Sequence, residues 1–282
     1  MLEDTSKIFE NFEKKEGFPA LPDVVSDVLY AIEQENTSLI DLAEIIKRDL
    51  GFATQVMKYA NSGQYILSQP ISSVDSAVRL IGMNTIKGLC LVLPVFEKYK
   101  NIPGIPELWN HSCASAICCK IVAQAIRFDE VDIAETAGLL HDIGKVVLAV
   151  TMGDLFHSLS QTADSLERQS DWRMETGLMG VNHCFIGGGF ARKFRLPQTL
   201  IDTVMWHHEF EKSQHSQILV CLCFVGDQIS GMIGFGHPDY IFVDPKIGAA
   251  LEFLGIHNEL FEHILLDCLN RVNQMVASQN ED

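Results

Sequence analysis

Apolar side chains recur every three or four residues along most of the chain, the spacing that gathers them on one face of a helix. From Asp23 to Gln34 they are Val24, Val25, Val28, Leu29 and Ile32, with Pro22 just ahead, where a first helical turn tolerates proline. Thr37 and Ser38 precede a second periodic segment, Leu39 to Leu50. Phe52 to Ala60 continues the pattern, Asn61-Ser62-Gly63 ends it, and Ser72-Ser73 opens a helix through Val78, Leu80 and Ile81. This half reads as short amphipathic helices joined by short polar turns.

Asn101-Ile102-Pro103-Gly104-Ile105-Pro106 is the clearest break in the first half and marks a subdomain boundary. Helical spacing resumes over Glu107 to Ala125, Val131 to Val150 and Trp172 to Phe194, the last despite Gly187-Gly188-Gly189. Leu196-Pro197 introduces a helix through Ile201 to His208, and Ser216 to Ile229 supplies the next. Gly231 to Pro245 reads as a flexible connector, without a phosphate-binding glycine spacing, before a helical region from Ile247 to Met275. No alternating strand series and no internal repeat interrupt this, so the fold class is all-α, a multi-helix bundle with an N-terminal helical subdomain. The breaks divide the chain into an extension (1–20), an N-terminal helical part (21–100), a second helical subdomain (101–230) and a C-terminal connector with helices (231–282).

Composition narrows the function. The net charge of −16, with lysines and arginines scattered singly, opposes a phosphate backbone or an anionic lipid surface, so neither nucleic acid nor membrane is an expected partner. A small phosphorylated ligand stays possible, because bound cations reverse the local field. The eight cysteines form no C-x-x-C pair and lie in apolar runs, which suits reduced core residues. Met1 to Lys15 has no signal-peptide core and no uninterrupted apolar run reaches membrane-spanning length, so the expected location is the cytoplasm.

The chemistry centres on His141-Asp142, with His111 upstream and His183, His207, His208 and Asp227 downstream. Imidazole and carboxylate are the ligands of borderline transition metals, and this set suffices for two adjacent divalent ions. Glu135 to Leu140 is increasingly apolar, which sets the pair deep in the bundle, where an unpaired aspartate is costly unless cations compensate it. His157, His215, His237, His257 and His263 lack such clustering and are expected to be ordinary core or surface histidines. The set is expected to lie on successive helices, within their interiors.

Leu21-Pro22, Ile45-Ile46-Lys47-Arg48-Asp49-Leu50, Ala60-Asn61-Ser62, Ala77-Val78-Arg79-Leu80-Ile81-Gly82, Trp109-Asn110-His111-Ser112, Ala137-Gly138-Leu139-Leu140-His141-Asp142-Ile143-Gly144 and Trp206-His207-His208 follow in order. In this order and spacing the chain resembles the HDOD family, a bacterial signalling output module related to the HD metal-dependent phosphohydrolases. The ligand set is similar to that of the HD-GYP cyclic dinucleotide phosphodiesterases. That similarity implies one ion on His111, His141, Asp142 and Asp227, with Asp142 bridging to a second on His183, His207 and His208. Iron or manganese is expected ahead of zinc. Glu107, one turn before His111, is either a further ligand or a solvated helix-start residue. Lys145 either contacts a substrate phosphate or faces solvent.

After His208 the chain reads Glu209-Phe210-Glu211-Lys212-Ser213-Gln214, without the glycine-tyrosine-proline element that shapes the substrate side of HD-GYP enzymes, and with two acidic residues that oppose a doubly anionic ligand. The resulting expectation is a regulatory protein with a dinuclear metal centre that acts through protein or ligand contacts. A metal-dependent phosphohydrolase with Asp142 and Lys145 as its catalytic groups is the competing class, and a di-iron redox or oxygen sensor is a third.

Overall fold

A computed structural model describes Lys7, Glu10 and residues 22–34, 36–63, 65, 67, 69–153, 171–236 and 243–279. The expectations for the rest of the 1–20 extension, for His157 and for His237 lie outside these residues. Among the described residues every regular element is helical. The first half holds α1 (Asp23–Ile32), α2 (Leu39–Ile46), α3 (Leu50–Asn61), α4 (Val74–Ile81) and α5 (Met83–Tyr99). The second holds α6 (Ile105–Ala125), α7 (Val131–Leu140), α8 (Ile143–Thr151), α9 (Asp171–Met179), α10 (His183–Lys193), α11 (Gln198–Trp206), α12 (Gln217–Ser230), α13 (Ile247–Phe253) and α14 (Asn258–Gln279).

Side-chain caps set the early boundaries. Ser38 and Asp41 form a reciprocal capping box on α2, and Asp49 accepts a 2.8 Å bond from Phe52 N to start α3. The expected segment from Leu39 to Leu50 therefore ends early, and Leu50 belongs to the next helix. Gly82, at φ +82°, turns the chain by 106° between α4 and α5. At 17 residues α5 is longer than the short helices expected in this half, and it runs through Pro94.

The core forms around α6, which packs against α7, α12 and α14. Close approach depends on glycine: a Cβ on Gly138 would meet Ser115 O at 2.7 Å, and one on Gly226 would meet Cys119 N at 2.8 Å. All eight cysteines are buried and free, as their apolar settings implied. Gln217–Phe235, interrupted by Asp227 and Gln228, is long and apolar enough by length and composition to cross a membrane, but most of it is buried in the bundle.

Several expected helices divide. Val131 to Val150 breaks at His141-Asp142, Trp172 to Phe194 breaks at Gly180 (φ +74°), and Ile247 to Met275 breaks at Gly255 (φ +68°). The connector after Ile229 begins not as a loose loop but as a π-helical turn, Gly231–Phe235, packed on α6; residues 237–242 lie outside the described set.

Candidate metal centre

The break between α7 and α8 positions the central pair. One continuous helix would point His141 and Asp142 about 100° apart. Here His141 closes α7 and Asp142 (φ −101°, ψ 9°) opens α8, so both turn inward. Gly144 lets α8 lie directly on α10, where a Cβ would fall 2.0 Å from His183 O. Asn182 caps α10 by accepting from Phe185 N at 3.1 Å, which brings His183 to the first helical position. His207 and His208 follow the end of α11, leaving only His111 and Asp227 inside helices. The expectation that the set occupies helix interiors is thus corrected for five of the seven: His141, Asp142, His183, His207 and His208 sit at helix ends, where backbone direction changes.

All seven residues meet, in two sets. In the first, His111 Nε2 lies 3.2 Å from His141 Nε2, 3.2 Å from Asp227 Oδ1 and 3.3 Å from Asp142 Oδ2. In the second, His183 Nε2 lies 3.3 Å from His207 Nε2, 3.2 Å from His208 Nε2 and 3.2 Å from Asp142 Oδ1. Asp142 faces each set with a different oxygen. Oδ1 is buried and has no hydrogen-bond partner among the described residues, an arrangement that is costly for a carboxylate unless a cation occupies its front.

The outward nitrogens explain the inward ones. Nδ1 of His141 donates to Gly138 O at 2.7 Å, Nδ1 of His207 donates to Val204 O at 3.0 Å, and Nδ1 of His111 donates to Phe235 O on the π turn. In the neutral ring each bond leaves the Nε2 lone pair facing the cluster, the state a metal ligand requires. His183 Nδ1 instead faces Glu175 Oε2 at 2.7 Å, and the same oxygen accepts from His183 N. Trp172, also on α9, stacks on His208 with ring planes 13° apart. Glu175, Trp172, Ser115 and Ser230, the last two hydrogen-bonded together beside His111, are supports that sequence reasoning missed. Glu175 precedes His183 by eight residues across an unrecognised break, so helical spacing gave no hint of it.

Charge in the cluster is divided. Burial pushes the Asp142 and Asp227 carboxyls up, but the neighbouring imidazoles, with Lys145 beside Asp142, outweigh it and hold both well below the usual range. Burial likewise opposes charge on His141 and His183, yet Asp142 and Asp227 beside His141, and Cys184, Glu175 and Asp142 beside His183, raise both well above an ordinary histidine. His207 is pushed down to about 4, chiefly by burial. Two carboxylates therefore draw positive charge toward themselves.

Lys145 lies 2.7 Å from Asp142 Oδ2. Glu107 is exposed and stands in neither set. His215 pairs with Asp202 at 3.0 Å, and His257 Nδ1 accepts from Leu260 N, so neither joins the cluster; His263 is exposed. Of the two acidic residues after His208, Glu209 pairs with Lys212 and Glu211 with Lys246, which tempers their effect on an anion.

The HDOD domain model matches residues 18–210, more than half of the chain and including six of the seven donors. The chain belongs to the HDOD domain family. Its fold is similar to that of an HDOD domain protein of unknown function from Geobacter sulfurreducens, with a TM-score of 0.76, 22% identity, and coverage of 98% of this chain and 99% of that one. An uncharacterized protein of Treponema pallidum (strain Nichols) is 24% identical over 200 residues, which is 70% of this chain and 38% of that protein. Ribonuclease Y of Geobacter sulfurreducens is 30% identical over 125 residues, which is 44% of this chain and 18% of that enzyme. The HDOD chain thus spans well under half the length of these curated relatives.

Proposed function

We propose that this HDOD module retains a dinuclear metal centre and serves bacterial signal transduction through contacts with a partner protein or a small phosphorylated ligand. The observation that carries the reading is Asp142, which offers one oxygen to each donor set and keeps Oδ1 buried without a hydrogen bond. His111, His141, Asp227 and Asp142 Oδ2 would hold one ion, and His183, His207, His208 and Asp142 Oδ1 the other. Two divalent transition-metal ions, iron or manganese by the first set's nitrogen and oxygen donors, would supply Lewis-acid charge for an anionic group. Lys145, 2.7 Å from Asp142 Oδ2, balances part of the Asp142 charge and would contact an incoming phosphate from that place. The surrounding net charge of −16 favours a small ligand over a polyanion.

Hydrolysis is the second reading, favoured by partial access to the cluster: the His111 and Asp227 side chains are 14% and 12% exposed and His208 is half-buried, while His141, His183 and His207 are sealed. Similarity to a ribonuclease over part of the chain points the same way. Metal-loaded protein and Asp142→Asn are to be compared on a panel of phosphomonoesters, linear phosphodiesters and cyclic nucleotides, with thermal shift recorded for each. Binding without turnover, abolished in Asp142→Asn, is the expected result. Turnover that disappears in Asp142→Asn would establish the enzyme instead.

A further inference from the structure

Beside the second donor set lies a side chain that the proposed function leaves unused. Cys184 follows His183 on α10 and is buried, with Sγ 3.4 Å from His183 Nε2. His183, Cys184, His207 and His208 each offer one donor atom, and these four atoms all lie within 4.8 Å of one another. Among the described residues no other cysteine belongs to such a group.

Metal bonds of about 2.0–2.1 Å to imidazole and about 2.3 Å to thiolate place donors on a tetrahedral ion about 3.4 Å apart for two nitrogens and about 3.6 Å for nitrogen and sulfur. The separations from His183 Nε2 are 3.3 and 3.2 Å to the other imidazoles and 3.4 Å to sulfur. The buried Asp142 Oδ1, without a hydrogen-bond partner and 3.2 Å from the same nitrogen, independently points to a cation at this place.

We propose that Cys184 is a thiolate ligand of the second ion, alongside His183, His207, His208 and Asp142 Oδ1. The inference rests on the dinuclear reading above and makes the centre asymmetric. On ligation the thiol releases its proton to solvent and the ion takes its place. Sulfur softens the second set, which then selects zinc, cobalt or ferrous iron over manganese or magnesium. Four side chains at tetrahedral spacing, with Asp142 Oδ1 as a fifth donor, leave at most one coordination position, closer to a structural site than to an open catalytic one. Exchange with an external ligand is thereby directed to the first ion, which has fewer protein donors, with His111 and Asp227 partly exposed.

The test uses the full chain, stripped of metal anaerobically and titrated with cobalt(II), beside Cys184→Ala and Cys184→Ser. The expected wild-type spectrum contains a near-ultraviolet sulfur-to-cobalt charge-transfer band that both variants lose, while their first ion remains bound. X-ray absorption on zinc-loaded wild type, which needs no variant, is expected to show a sulfur shell at about 2.3 Å. Cobalt bound without the band, a band unchanged in both variants, or a zinc spectrum free of sulfur overturns the thiolate and leaves the dinuclear centre standing. A wild type that takes up no cobalt overturns both.

Discussion

Gly144→Ala tests whether the site depends on the contact between α8 and α10. In an open helix position alanine is worth about 1 kcal/mol over glycine, so the change would ordinarily stabilise. At Gly144 the added Cβ falls 2.0 Å from His183 O and 2.7 Å from Gly187 N, against 3.4–4 Å for ordinary contact. Both obstacles are backbone, so the helices must part by over an ångström, which carries Asp142 away from His183. Overpacking of this kind costs about 1–3 kcal/mol, and the rigid neighbours put this case at the upper end. At about 2–4 °C per kcal/mol, the melting temperature by circular dichroism should fall about 5–10 °C, with metal content falling too. Gly177→Ala on α9, where a Cβ meets nothing within 4 Å, is the matched control and should hold or raise the melting temperature. A Gly144→Ala protein as stable and as metal-rich as wild type would refute the close-contact argument.

Three further outcomes follow from particular contacts. Glu175→Gln weakens the hydrogen bonds that orient His183, and it should lower affinity for one ion about 10–100-fold by competitive chelator titration, while the other ion is retained. Lys120→Met strands the buried Glu135 carboxylate, 2.6 Å from the Lys120 ammonium and 2.7 Å from Tyr65 OH; a loss of about 3–5 kcal/mol in chemical denaturation is expected, and a loss below 1 kcal/mol would count against a buried pair. Asp202 accepts bonds from Gln198, Ser213 and His215; burial raises its carboxyl, but those bonds outweigh it and hold it below the usual value. A depressed acid stabilises the fold above its unfolded value of 3.8, and that share disappears as pH falls through the folded value. Asp202→Ala should therefore cost on the order of 2 kcal/mol near neutrality, with the gap from wild type narrowing below about pH 4.

The helical class, and the seven residues that the fold gathers into one cluster, were legible because imidazoles are rare enough to mark themselves and apolar spacing marks helices. The junction at His141-Asp142 was not. Both α7 and α8 are buried nearly all round, from Ala134 to Leu140 and from Ile143 to Ala149, so no polar face stops at the break to reveal it. What bends the chain there is a tertiary contact, Gly144 on α10, and a glycine does not name the backbone it will touch. Glu175 was hidden for a related reason: its partner His183 lies on the next helix. The turn at Gly231–Phe235 looked like a loose connector on composition, though its Phe235 carbonyl orients His111. Cys184 passed among eight apolar-looking cysteines, and only its distance from three imidazoles separates it from the others.

Metal content by elemental mass spectrometry, on protein purified without oxygen or chelator and beside Asp142→Asn, bears most directly on the shared carboxylate. About two transition-metal ions per chain, falling sharply when Asp142 is changed, is the result this geometry predicts. A folded wild type that carries no metal, or an Asp142→Asn protein that keeps both ions, would contradict it.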